Sequence, residues 1–119
     1  MIRHLGPGAD VEALVAAALE QGREVHVVRA AATKESTLAA FADTLDFPAW
    51  YGANLDALAD CLGHLARRTD PEDRPAWQLV VDGVAGLGRE DPRALAGLCD
   101  VLRDIAASHP RFHVTVVDR

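Results

Sequence analysis

Trp77-Gln78-Leu79-Val80-Val81-Asp82 is the stretch on which the fold turns, because its apolar residues run on consecutively from Leu79 to Val81 instead of alternating with polar ones. A strand apolar on both sides needs cover on both faces of its sheet, which is the habit of parallel sheets packed between helices. Two further stretches share this make-up: Glu24-Val25-His26-Val27-Val28-Arg29 and Phe112-His113-Val114-Thr115-Val116-Val117, both rich in β-branched residues.

Helical patterns separate the three strand candidates. From Asp10 to Gln21 the residues Val11, Leu14, Val15, Ala18 and Leu19 recur at three- and four-residue steps, and Gly22 follows as a C-terminal stop. Thr33 offers an N-cap for a stripe of Leu38, Ala39, Phe41, Ala42 and Leu45. Pro48 and Gly52 break that helix, Gly52 by permitting an otherwise strained turn, and Asn54 caps the next one, which runs to about Arg67. A Gly-containing turn through Gly88 leads to Asp91, which caps a helix with Pro92 at its first position and Leu95, Leu98, Cys99, Leu102 and Ile105 along one side. Strands joined by helical crossovers predict an α/β fold, a three-stranded parallel sheet covered by helices. The polar stretch 68–75 is too short to divide the chain into separate cores.

Composition narrows the function. With 119 residues, half of them hydrophobic, the chain suffices for one core, and its net charge of −6 has the wrong sign for holding a nucleic acid by its phosphates. No stretch is long and apolar enough to span a bilayer and the start lacks a secretory pattern, so neither membrane nor nucleic acid is the expected partner and the cytoplasm is the expected compartment. Cys61 and Cys99 sit among apolar residues and read as reduced thiols, and the histidines at 4, 26, 64, 109 and 113 are scattered, so no metal and no cofactor are expected.

The candidate chemistry lies on the helix after Asn54. Successive side chains about 100° apart turn Leu55, Leu58, Ala59, Leu62 and Leu65 to the core and leave Asp56 and Asp60 on one exposed side, roughly 6 Å apart along the axis, with His64 continuing the row. Like charges at this spacing cost a few tenths of a kcal/mol, offset for Asp56 by the positive end of the helix dipole, so Asp60 has no evident structural purpose. Two rigid carboxylates could occupy sites that an enzyme keeps for successive phosphates. Trp50 and Tyr51, just before the cap, would add flat area and a hydroxyl beside them. By spacing alone, an acidic pair is more often a solvated face, and an aromatic pair after a proline more often packs the core.

The residues themselves reverse that weighting. Phe47-Pro48-x-Trp50-Tyr51-Gly52-x-Asn54-Leu55-Asp56-Ala57-Leu58-x-Asp60-Cys61-Leu62 resembles the hallmark segment of the barstar family, and the resemblance extends from about residue 23 to 119, with residues 1–22 read as an added helix packed on the same domain. It implies an inhibitor, not an enzyme: an immunity-type protein that occludes the basic active-site cleft of a secreted or toxin-type guanyl-specific ribonuclease with the loop 48–54 and the helix 54–67. By position, Asp60 matches the family's dominant acidic anchor and Asp56 a second acid. Trp50 matches the aromatic at the cleft mouth, Gly52 and Asn54 the positions that shape the loop and start the helix, and Asp104 is a candidate for an acid on the next helix. Ala59 stands where the family often has tryptophan and Ala53 where an acid follows the glycine. Two other readings stay open: a regulatory or adaptor module binding a non-nuclease basic protein, and a small hydrolase using Asp56, Asp60 and His64 as acid and base.

Overall fold

The computed structural model describes residues 2–48 and 50–119; Met1 and Ala49, the latter inside the loop read as belonging to the binding segment, lie outside the described residues. Among the described residues the chain order is β1 (Ile2–Leu5), α1 (Val11–Glu20), β2 (Glu24–Arg29), α2 (Lys34–Leu45), α3 (Leu55–Arg67), β3 (Trp77–Asp82), α4 (Ala85–Glu90), α5 (Pro92–Ser108) and β4 (Phe112–Val117). The strands form one sheet in the order β1-β4-β3-β2, and every pairing is parallel.

The expected parallel sheet under helices is present, with one correction: it has four strands where three were predicted. The fourth, β1, runs beside β4 from Ile2 opposite Val114 to Leu5 opposite Val117. Ile2-Arg3-His4-Leu5 is too short and too polar to announce a strand. It becomes one because β4 would otherwise leave a row of backbone N–H and C=O groups unpaired along its edge. The segment 1–22, read as an added helix, therefore contributes a strand as well as α1.

β3 is buried from Trp77 to Val81, as its continuous apolar run requires. Side chains of a strand alternate between faces. Trp77, Leu79 and Val81 join Phe112, Val114 and Val116 of β4 and Val28 of β2 in one core. That core is closed by Leu38 and Phe41 of α2, Leu58 and Leu62 of α3, Leu87 of α4, and Leu98 and Leu102 of α5. On the opposite face Gln78, Val80, Thr115 and Val117 are buried as well, and α1 lies over them, its Leu14 and Ala18 beside Gln78 and Thr115. The ends of β3 and β4 are fastened by Arg119, whose Nε and Nη2 each donate to the Asp82 carboxylate at 2.8 Å. That forked bond, against some burial, holds the Asp82 carboxyl below its ordinary range.

The helices begin where their caps predict. Thr33, Asn54 and Asp91 each accept a backbone N–H three residues on, from Ser36, Ala57 and Ala94. The turn expected through Gly88 is instead the short helix α4, which has no side-chain cap; its buried Leu87 packs into the core and outweighs the poor helix propensity of Gly86 and Gly88. α3 and α5 pack side by side, and Gly97 of α5 permits the contact: a Cβ there would stand 2.7 Å from Leu55 Cδ1. The buried stripe of α3 also differs from expectation. Leu58, Cys61, Leu62, Gly63 and Ala66 are buried, whereas Leu55, Ala59 and Leu65 are only partly so, because α5 covers one flank of the helix and leaves Ala59 at the margin. No helix among the described residues is long and apolar enough to cross a membrane.

Leu62 and Asp60 stand two residues apart on α3 with opposite surroundings, Leu62 fully buried and Asp60 exposed. Leu62→Ala is expected to lower unfolding free energy by about 2–5 kcal/mol, and Asp60→Ala to leave it within about 0.5 kcal/mol, both read by urea denaturation.

Candidate functional site

The site starts where α2 ends. Asp46 takes a left-handed conformation, φ 55°, as the C-cap of α2 and turns the chain out of the helix. The loop is then pinned from inside: the rings of Phe47 and Tyr51 lie 5.0 Å apart and both lean on the core. The Tyr51 hydroxyl donates to the Leu38 carbonyl of α2 at 3.4 Å. Burial, with Cys61 second, pushes that hydroxyl up to about 12, so it stays a donor throughout the neutral range. The hydroxyl expected beside the carboxylates is thus engaged on α2, and Tyr51 serves to anchor the loop. Its neighbour Trp50 faces outward, 68% exposed. Trp77, the other tryptophan, is buried under the His26 ring at 4.3 Å.

Gly52 was expected to take the strained turn. It is Ala53 that adopts the left-handed conformation, φ 50°, while Gly52 does not. The glycine answers a different need: a Cβ there would press on the Asn54 side chain at 3.0 Å. Asn54 must be free to cap, and its Oδ1 accepts from Ala57 N at 2.8 Å. This bond fixes the first turn of α3 and with it the direction of every side chain that follows.

Asp56, Asp60 and His64 are all exposed along one side of α3, as the four-residue spacing requires. Past Asp60 the row changes character, since Arg67 Nη2 lies 3.2 Å from His64 Nδ1. Among the described residues no hydrogen bond or ion pair joins His64 to either aspartate. The Asp60 charge is felt inward, where it adds to burial in raising the Cys61 thiol; burial likewise raises Cys99, and both cysteines are free. No group of three His, Cys, Asp or Glu among the described residues is placed to hold a metal ion.

Between α3 and α5 runs an open groove of about 330 Å³. It brings together Trp50 from the loop, Ala59 and Asp60 from α3, and Asp104 from α5. Asp56, Tyr51, Gly52 and Asn54 do not line it: Asp56 stands one turn nearer the cap, and the other three build the loop. His64, Arg67 and His109 do line it, and of these only His64 drew notice in the sequence. Arg67 was findable, seven residues after Asp60 on the same side of the helix. His109 carried no signal; it is held at the end of α5 by Asp70, whose carboxylate lies 2.9 Å from Nδ1. The groove thus gathers two carboxylates and an exposed indole together with the basic groups of His64, Arg67 and His109.

A family model described as Barstar, the barnase inhibitor, matches residues 23–117. The chain belongs to the Barstar family. The Barstar region takes in β2 through β4, with α2, α3, α4 and α5, so the whole groove lies inside it, while β1 and α1 precede it. No curated protein matches the chain.

Ala53 holds a conformation that costs an L-residue with a Cβ about 1 kcal/mol or more, and glycine adopts it freely. Ala53→Gly is therefore expected to raise unfolding free energy by about 0.5–1 kcal/mol in a denaturant titration, whereas Asn54→Ala lowers it by about 1 kcal/mol through loss of the cap.

Proposed function

We infer that the chain is an intracellular inhibitor of a microbial ribonuclease, and that it occludes the enzyme's catalytic cleft with the loop 48–54 and the acidic helix 54–67. The observation that carries the reading is the common groove of Asp60, Asp104 and Trp50, two carboxylates on packed helices beside an exposed aromatic. A ribonuclease cleft is lined with cations that hold successive phosphates, and carboxylates fixed on a capped helix can take their place without being cleaved. The Barstar match supports this reading, since the family is described by barnase inhibition. In it Asp60 is the principal anchor, Asp56 and Asp104 flank it, Trp50 covers the cleft mouth, and Ala59 touches the enzyme where the family often has a larger side chain. The partner is a basic, guanyl-specific, secreted or toxin-type ribonuclease, met in the cytoplasm of the producing cell; no step of chemistry falls to the inhibitor.

The test is a titration of RNA cleavage by a panel of guanyl-specific microbial ribonucleases. Stoichiometric loss of activity with at least one is expected. Asp60→Ala should then weaken inhibition roughly thirtyfold to several-thousandfold, matching the about 2–5 kcal/mol lost when a buried interfacial charge pair is broken. That range comes from barnase and barstar themselves and is carried over to this chain. Undiminished cleavage across the panel at excess inhibitor would sink the reading.

A second reading rests on Ala59. A methyl group there leaves less contact area beside Asp60 than a tryptophan would, which suits a different basic protein as partner and a role as adaptor or regulator. The two readings diverge on Ala59→Trp: it is expected to tighten binding to a ribonuclease partner and to weaken binding to a partner shaped around the methyl group, both read by calorimetry.

A further inference from the structure

On the sheet face beneath α1, the parallel register collects polar side chains from four separate regions of the chain. Gln78 on β3 stands opposite His113 on β4, and Arg3 on β1 stands opposite Thr115. Arg23, just ahead of β2, donates from Nη1 to Gln78 Oε1 at 3.1 Å, and Gln78 Nε2 donates to Thr115 Oγ1 at 3.0 Å. The amide and hydroxyl are therefore engaged in orienting the Arg23 guanidinium. Arg3 has no ion-pair partner among the described residues. All five side chains border a cavity of about 400 Å³ whose other wall is the apolar side of α1 at Leu14 and Ala18.

Acids outnumber bases eighteen to twelve in this chain, yet none of the described residues lining the cavity is Asp or Glu. Two guanidiniums line it with no carboxylate to neutralise them, and an imidazole stands in the same wall. Burial first, then the charge of Arg23 with Arg111 and Arg3 behind it, holds His113 below the ordinary imidazole value. A cavity of this volume is within the range of small-ligand sites, and it sets convergent polar groups opposite the apolar Leu14 and Ala18. Two Arg forks and an imidazole N–H offer more donors than one carboxylate can accept, whereas the three oxygens of a phosphomonoester can engage them all.

We propose that this cleft binds a small organic phosphate, with its oxyanions on Arg3 and Arg23 and its body against Leu14 and Ala18. The site exists because of the segment that precedes the Barstar region: β1 brings Arg3 and α1 brings the apolar wall. It lies on the sheet face turned away from α3, so it does not depend on the inhibitor reading.

The test is a nuclear magnetic resonance titration of the whole chain with adenosine 5′-monophosphate, inorganic phosphate and succinate at constant ionic strength, following the His113 ring and the backbone amides. Saturable shifts confined to Arg3, Arg23, Gln78, His113 and Thr115, tighter for the nucleotide than for inorganic phosphate and weakest for succinate, are expected. Arg3→Gln should weaken nucleotide binding about tenfold or more, the loss of one charge-assisted hydrogen bond. Arg3 is exposed on an edge strand, and the unchanged amide spectrum of the variant will show that its fold persists. Shifts that potassium chloride alone reproduces, succinate binding as tight as the nucleotide, or an Arg3→Gln variant that binds undiminished would each overturn the proposal.

Discussion

β3 cannot be left open on either side. Five consecutive residues, Trp77 to Val81, are buried, and because their side chains alternate between faces, the sheet must be covered above and below. Each cover then does more than exclude water. The helices on one face set α3 against α5 and so create the groove that holds Asp60 and Asp104; the single helix α1 on the other roofs the arginine-lined cleft. Both surfaces follow from one central strand that had to be buried twice.

α3 shows how such a layout separates a packing face from an exposed one. Its inner stripe, Leu58, Leu62 and Ala66, is fully buried and carries the packing energy, which for a buried leucine is about 2 kcal/mol or more. Its outer row, Asp56 and Asp60, is exposed to solvent. What links the two is the cap. Asn54 fixes the first turn and Tyr51 ties the preceding loop to α2, so the backbone that carries the carboxylates is fixed by the fold itself. Rigid presentation lowers the entropy lost on association.

The elements whose identity rests on their own residues were legible in the sequence. Trp77–Asp82 and Phe112–Val117 could be bounded from their apolar runs, and Thr33, Asn54 and Asp91 from their capping chemistry. What escaped depends on contacts that only the folded chain creates. β1 is a strand because β4 has an open edge, and α4 is a helix because Leu87 has a core to enter. The same division holds in the site. The Asp56 and Asp60 row is a matter of helical period, but the approach of Asp104 to Asp60, the inward turn of Tyr51 and the left-handed Ala53 are set by the packing of α5 and α2. The cleft was illegible for a simple reason: Arg3, Arg23, Gln78, Thr115 and His113 come from all four strand regions and share no local pattern.

Charge is distributed along the same lines as cover. The chain is acidic overall, and on one side of the sheet Asp60 and Asp104 share a groove with His64, Arg67 and His109, while in the cleft on the other two arginines and a histidine gather with no acid among them. At physiological salt the exposed charges of either face are screened beyond about 8 Å, so each surface acts on its surroundings at short range. The cleft and the groove lie on opposite faces of the sheet, so their charges are set by different parts of the chain: Arg3 and Arg23 by β1 and the approach to β2, Asp60 and Asp104 by α3 and α5.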